Sequence, residues 1–177
     1  MPGLAAILGP LSDTQHRWLR EHGYNNAMET GAHTAEDLRL LHANAIAGAH
    51  AAIDAYATVA ATRGQSDAPH WLEQSAIHGS TLALLRLATW HSLADGGTDR
   101  QDAAIAWLLV AQQRGDPLAP TLLAQLAGDG ISATARAQAQ SLFQRLENGR
   151  YRRGLPAFVN QPFPADDADD GKHLDPP

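Results

Sequence analysis

The sequence predicts an all-α protein, a short α-solenoid of antiparallel helix pairs with about seven to eight helices. Three observations carry this. Residues 71–126 match themselves when shifted by 36 positions: Trp71-Leu72 falls on Trp107-Leu108, Gly79 on Gly115, Ala83 on Ala119 and Leu87-Ala88 on Leu123-Ala124. Self-similarity at such a period marks a repeat architecture. Alanine makes up roughly a fifth of the chain, and it is the strongest helix former and lets helices approach closely. No run alternates apolar and polar residues with period two, so strands have no support. An irregular α-bundle is the alternative architecture.

The elements follow in order. Residues 1–11 form a leader ending in the irregular Gly9-Pro10. Ser12 or Asp13 caps a short helix that buries Trp18 and Leu19 and stops at Gly23. Tyr24 to His33 reads as a loop. Thr34 opens the next helix, with Glu36 and Asp37 in its first turn, where the macrodipole favours acids; Leu38, Leu41, Ala45 and Ile46 make its apolar face. After Gly48, residues 49–62 form a helix with Ala52, Ile53, Tyr56, Val59 and Ala60 inward, closed at Arg63-Gly64. Asp67 caps the next, with Pro69 in its first turn and Trp71, Leu72, Ser75 and Ala76 inward. Residues 81–93 carry Leu84, Leu87, Ala88 and His91 on one stripe, and Asp95-Gly96-Gly97 turns the chain. Thr98 or Asp99 caps helix 100–114, with Ala103, Trp107, Val110 and Ala111 inward. Pro117 is placed at the first position of helix 118–127, and Gly128-Asp129-Gly130 makes the next turn. Ser132 caps the last helix, with Ala135, Ala139, Leu142, Phe143 and Leu146 inward and Asn148-Gly149 closing it. The organisation is therefore a leader and short helix over 1–33, a helical-repeat domain over 34–149, and a Pro-rich acidic tail over 150–177. That tail holds five prolines and the clustered Asp166, Asp167, Asp169 and Asp170. It reads either as a disordered tail or with its apolar half along the last helix pair.

Aligning the helix pairs gives three copies: Gly48-Ala52-Tyr56-Ala57, Gly79-Ala83-Leu87-Ala88 and Gly115-Ala119-Leu123-Ala124. In each, a glycine ends one helix, a small residue four later allows a close crossing, and a large-small step makes a knob beside a hole. One pair cannot hide its apolar face, so pairs must stack. Ala83, Leu87, Gly96-Gly97, Asp99, Ala103, Trp107 and Gly115 follow the order of the Sel1-like repeats, relatives of the tetratricopeptide repeats, and Gly128-Asp129-Gly130-Ile131 resembles that family's Gly-x-Gly-hydrophobic turn. The resemblance covers residues 44–148. Alanine replaces the glycine of the family's Leu-Gly step at Ala57, Ala88 and Ala124, and the family's aromatic is His91 in one copy and Ala60 or Ala127 in the others. The resemblance implies a right-handed solenoid whose groove binds a protein or peptide, as in signalling and secretion adaptors and some bacterial inhibitor or immunity proteins.

Composition narrows the function further. The 177 residues suffice for one domain with a single core. A net charge of -6 disfavours nucleic acid as a partner. No apolar run is long enough to cross a bilayer. Cysteine is absent, which fits the cytoplasm or, after removal of a signal peptide, the periplasm. Twelve of the thirteen basic residues are Arg, with Lys172 the exception; composition bias explains this more simply than selection for bidentate contacts.

Nine histidines invite a metal reading, but His42–His50 and His70–His78 are eight apart, and ligands on one helix face need a spacing of three or four. Scattered surface or capping histidines are the default. No nucleophile, nucleotide or zinc-protease motif is present, so neither a catalytic residue nor a cofactor is assigned. Arg150, Arg152 and Arg153 beside Tyr151 could bind phosphate, or neutralise the tail and cap the last helix. The residues expected to face a partner are Trp90, His91, Arg86, Asp54 and His50. The expectation is a non-catalytic interaction module. The alternative is a small helical metal-binding protein or enzyme using the histidines.

Overall fold

The structure, a computed structural model, describes residues 7–24, 34–93, 97–128 and 130–165. Among them are eight helices and no strand: α1 Asp13–Glu21, α2 Ala35–Ile46, α3 His50–Thr62, α4 Ala68–His78, α5 Thr81–Leu93, α6 Gly97–Gln113, α7 Ala119–Ala127 and α8 Ala133–Arg152. Along the run from α2 to α7 each helix packs on the next, and α3 also meets α5. The short connections make those neighbours antiparallel. The leader up to residue 6, most of the expected 24–33 loop, the turn at residues 94–96, Asp129 and the acidic residues 166–177 lie outside the described residues.

Local chemistry sets the helix starts. Ser12 and Thr34 each form a capping box, with Gln15 and Asp37 reaching back to the cap backbone, so two otherwise unpaired amide groups are satisfied at each start. Ser132 accepts from Ala135 N. Asp67 precedes α4 but makes no side-chain cap. Its carboxylate instead accepts from Trp71 Nε1 at 3.1 Å and from Tyr56 Oη at 3.4 Å, tying α3 to α4. Pro117 precedes α7 rather than opening it, and Pro120 lies in the first turn. The start of α7 is held by Asp116, whose Oδ1 accepts from Leu118 N and Ala119 N.

The repeated positions form the core. Gly48, Gly79 and Gly115 all have positive φ, the left-handed conformation that reverses the chain after a helix. Ala52, Ala83 and Ala119 are buried, as are Tyr56, Leu87 and Leu123, and Trp71 and Trp107. The third copy departs at Ala124, which is exposed: α7 packs on α6 at the edge of the stack. Ile46 also departs from its expected inward face and is 68% exposed, because the helix packs mainly on α3 and touches α4 through His42.

The C-terminal part breaks the simple stack. Helix α8 packs on α6 and reaches across to α4. It does not close at Asn148-Gly149 but continues to Arg152. Gly149 is a notch, not a stop: a Cβ there would lie 2.8 Å from Ile77 Cδ1 on α4. Through that close crossing two arginines reach the end of α4. Arg114, with no exposed surface, donates to Ala76 O at 2.8 Å, and Arg150 donates to Ile77 O at 2.7 Å. Cations at a helix C-terminus satisfy its open carbonyls and complement its dipole. Arg150 thus caps a helix other than its own.

Residues 153–165 then run as a strap back over the helices. Phe158 lies 4.4 Å from the Arg114 guanidinium and its N–H donates to Glu147. Phe163 N donates to Gly115 O, Trp18 Nε1 to Gln161 O and Gln15 Nε2 to Pro164 O. The apolar half of the tail therefore covers α6 and α8 and also meets α1, with Leu155, Phe158 and Phe163 half-buried and Val159 exposed.

Candidate functional site

Helix α4 is braced at both ends and along its inner face. The Arg114 and Arg150 caps fix one end, the Asp67–Trp71 bond fixes the other, and α3 and α5 hold its inner face. Its outer face is left as a ridge between two clefts. The cleft on the α2–α3 side is apolar at its base, formed by Ala45, Ile46, Ile53, Trp71 and Leu155 with His70 and His78 at its edge. The cleft on the α8 side is polar and formed by Glu73, Gln144, Arg145, Asn148 and Arg152 over Ile77. Gln74 and Arg153 line both, and Arg153 Nη2 donates to Gln74 Oε1 where they join.

The charge of this face is lopsided. Three arginines and one glutamate line the polar cleft. Glu73 is engaged by Arg145 through two bonds, at 2.9 and 3.2 Å. Arg152 and Arg153 are exposed in the last turn of α8 and just beyond it, without a carboxylate partner among the described residues. The chain as a whole carries -6, so this is a local positive field on an acidic protein.

A histidine pair stands at the apolar end. His50 and His78 stack at 4.7 Å and 22°. His50 Nε2 lies 3.2 Å from Asp54 Oδ2, and that hydrogen bond raises the His50 pKa despite partial burial. Burial lowers the His78 pKa, and the neighbouring His50 pushes it the same way. The sequence pairs His42–His50 and His70–His78 are not the spatial pairs. His42 instead packs on Tyr56 at 4.7 Å and on Trp71 at 5.5 Å, as an aromatic.

Ser75, Asp54 and His50 form a line, with Ser75 Oγ donating to Asp54 Oδ1 at 2.5 Å. The carboxylate stands between the hydroxyl and the imidazole, so the histidine is not placed to take the serine proton as a triad base must. Among the described residues no group of three or more His, Asp or Glu side chains could hold a metal ion. No helix of the described residues is long and apolar enough to cross a membrane.

The residues expected from sequence to face a partner fall in separate places. Asp54 and Arg86 line one small internal cavity with Ser75 and Ser80, and His50 reaches Asp54 from the surface. Trp90 is half-buried against the core at the far end of α5. His91 is half-buried beside it, its pKa lowered by burial and by Arg100. None of the five lines either cleft beside α4. The residues that do line them, Ile46, Gln74, Arg152 and Arg153 among them, carried one local signal: Ile46 ends its helix just before Gly48, where an apolar side chain has no neighbouring turn to cover it. Compared with known proteins, the chain matches no family model, no curated protein and no solved structure.

Proposed function

We propose that this chain is a non-catalytic interaction module of the helical-repeat type, in which the two clefts beside α4 hold a protein or peptide partner. One observation carries the reading: a rigidly capped helix is flanked by an exposed Ile46 of α2 on one side and, on the other, by Arg152 and Arg153, which have no carboxylate partner among the described residues, within one continuous surface. Apolar anchors beside oriented polar groups are the usual composition of a recognition site. Bracing by Arg114, Arg150 and the strap makes that surface preformed, which lowers the entropic cost of binding. The Sel1-like resemblance supports the same class, and within it an inhibitor or immunity protein, or a secretion adaptor, is the role that suits a small acidic chain.

A photo-crosslinking residue at Gln74, compared with one at the exposed Thr121 on α7, tests this in the native host. A discrete partner captured from Gln74 alone, which then binds the purified chain at one-to-one stoichiometry, is the expected result. The same set of adducts from both positions, or none from Gln74, contradicts the reading.

A further inference from the structure

The clefts are unlike in chemistry, and that difference constrains what fits. Helix α4 is 11 residues long, so at about 1.5 Å per residue its ridge offers on the order of 16 Å, the length of about five extended residues. An occupant on the α2–α3 side meets Ile46 and Trp71; one on the α8 side meets Arg145, Arg152 and Arg153. The single acid lining the clefts among the described residues, Glu73, is already held by Arg145. A positive field on a chain of net charge -6 repels basic segments and selects acidic ones.

We propose that the α4 surface takes a short acidic peptide segment of a partner protein, with an apolar side chain seated at Ile46 and Trp71 and a carboxylate held by Arg152 and Arg153. This rests on the reading of the clefts as a docking site and narrows it to one partner chemistry. A nucleic acid would use the same arginines, but single-stranded binders stack bases on exposed aromatic rings, and the aromatic of this surface, Trp71, is 8% exposed. A planar guanidinium pair suits a carboxylate in two-pronged geometry, and the apolar cleft beside it gives a peptide side chain somewhere to go.

Fluorescence anisotropy separates these cases with three labelled probes: an octapeptide alternating Leu and Glu, its Leu and Lys counterpart, and an eight-nucleotide oligouridine. The acidic peptide is expected to bind at least ten times more tightly than the basic one. Arg152→Glu with Arg153→Glu should weaken it at least tenfold, and Ile46→Ser about threefold. Unchanged thermal melts monitor folding, and the single Arg152→Gln gives a milder version of the same loss. Equal binding of both peptides, or acidic binding indifferent to the arginine variants, overturns the charge preference while the Gln74 crosslink decides separately whether the clefts dock anything. Oligouridine binding as tight as that of the acidic peptide, or no binding of any probe, overturns it as well.

Discussion

Arg114, just after α6, donates its Nη1 hydrogen to the carbonyl of Ala76 on α4, 38 residues earlier, across 2.8 Å and with no exposed surface. Burial pushes its pKa down to about 10, with Glu147 pulling it back up. A buried guanidinium is costly unless its neighbours repay the lost water. Here Ala76 O, Glu147 Oε1 at 3.3 Å and the ring of Phe158 do so for the two terminal nitrogens and the plane, while the buried Nε has no hydrogen-bond partner among the described residues. This one side chain joins α4, α6, α8 and the strap. Removing it takes the Arg114 donor from Ala76 O, which keeps Gly79 N, and leaves Glu147 Oε1 without its cation while Oε2 keeps Phe158 N, so Arg114→Ala should cost about 3 kcal/mol, the scale of a broken buried pair. Urea unfolding measures it, and a loss below about 1 kcal/mol would sink this account of the junction.

Gly115 tests the strap. It has φ +80°, and a Cβ there would lie 2.7 Å from Pro162 Cα and 2.8 Å from Gln161 O, both backbone atoms. Gly48 has φ +85° with open space around it. Gly48→Ala therefore carries only the left-handed penalty of about 1–2 kcal/mol, whereas Gly115→Ala carries that and must displace the strap. Limited proteolysis should cut residues 155–165 faster in Gly115→Ala than in Gly48→Ala. Equal protection in both variants contradicts the strap's placement.

Gly149 tests the α4–α8 crossing. Alanine in a helix interior is ordinarily favoured over glycine by about 1 kcal/mol. At Gly149 the added methyl would meet Ile77 Cδ1 at 2.8 Å and Cγ1 at 3.1 Å, so Gly149→Ala should not stabilise the protein. In an Ile77→Val background, which lacks that Cδ1 but keeps Cγ1 at 3.1 Å, the same change should cost less. A double-mutant cycle showing no coupling between positions 77 and 149 rejects the crossing.

The strap also depends on Trp18, whose Nε1–H donates to Gln161 O at 2.8 Å while its ring stacks on His22 at 3.7 Å and meets Phe163 edge-on. Trp18→Phe keeps an aromatic ring and loses the hydrogen bond, an expected cost of about 1 kcal/mol. Hydrogen exchange should quicken at Phe163 N, which bonds Gly115 O, and be unchanged in α4.

Protonation of the buried histidines should weaken the fold, against opposing contributions from His50 and from Asp116, whose pKa burial raises. Burial lowers the pKa of His22, His78 and His91 below 6.5, and the Asp54 hydrogen bond raises that of His50. For the first three the unfolded chain binds protons more readily, so their stabilisation is present above pH 6.5 and is lost as pH falls through the folded values. His50 works in the opposite sense: its contribution is full below 6.5 and fades as pH rises through its folded pKa. His22 is the buried member, with Nδ1–H donating to Trp18 O at 2.8 Å. Unfolding free energy should decline between pH 7 and 5, and His22→Phe should flatten the decline. A variant with the same acid slope as the wild type would remove His22 from the explanation.

Sequence reading reached the all-helical class, the glycines that reverse the chain and the alanines and tryptophans between helices, because each is written locally or in the 36-residue period. It did not reach what long-range geometry decides. Arg114 reads as the last residue of a helix, and Arg150 as part of a basic tail; their carbonyl partners lie 38 and 73 residues away, with no local pattern to announce them. Gly149 reads as a stop because nothing near it in sequence reveals Ile77. The stacked His50 and His78 likewise come from different helices, while the eight-residue histidine spacings joined residues that do not meet. The candidate binding surface follows the same logic: it exists only where α2, α4 and α8 come together.

The central claim is that the α4 surface, rather than the far end of α5, is where a partner docks. Hydrogen–deuterium exchange of the full chain with saturating Leu/Glu octapeptide tests it most directly. The account predicts slowed exchange over residues 45–48, 70–78 and 144–153, with residues 86–91 unchanged. Protection confined to Arg86, Trp90 and His91 would contradict it.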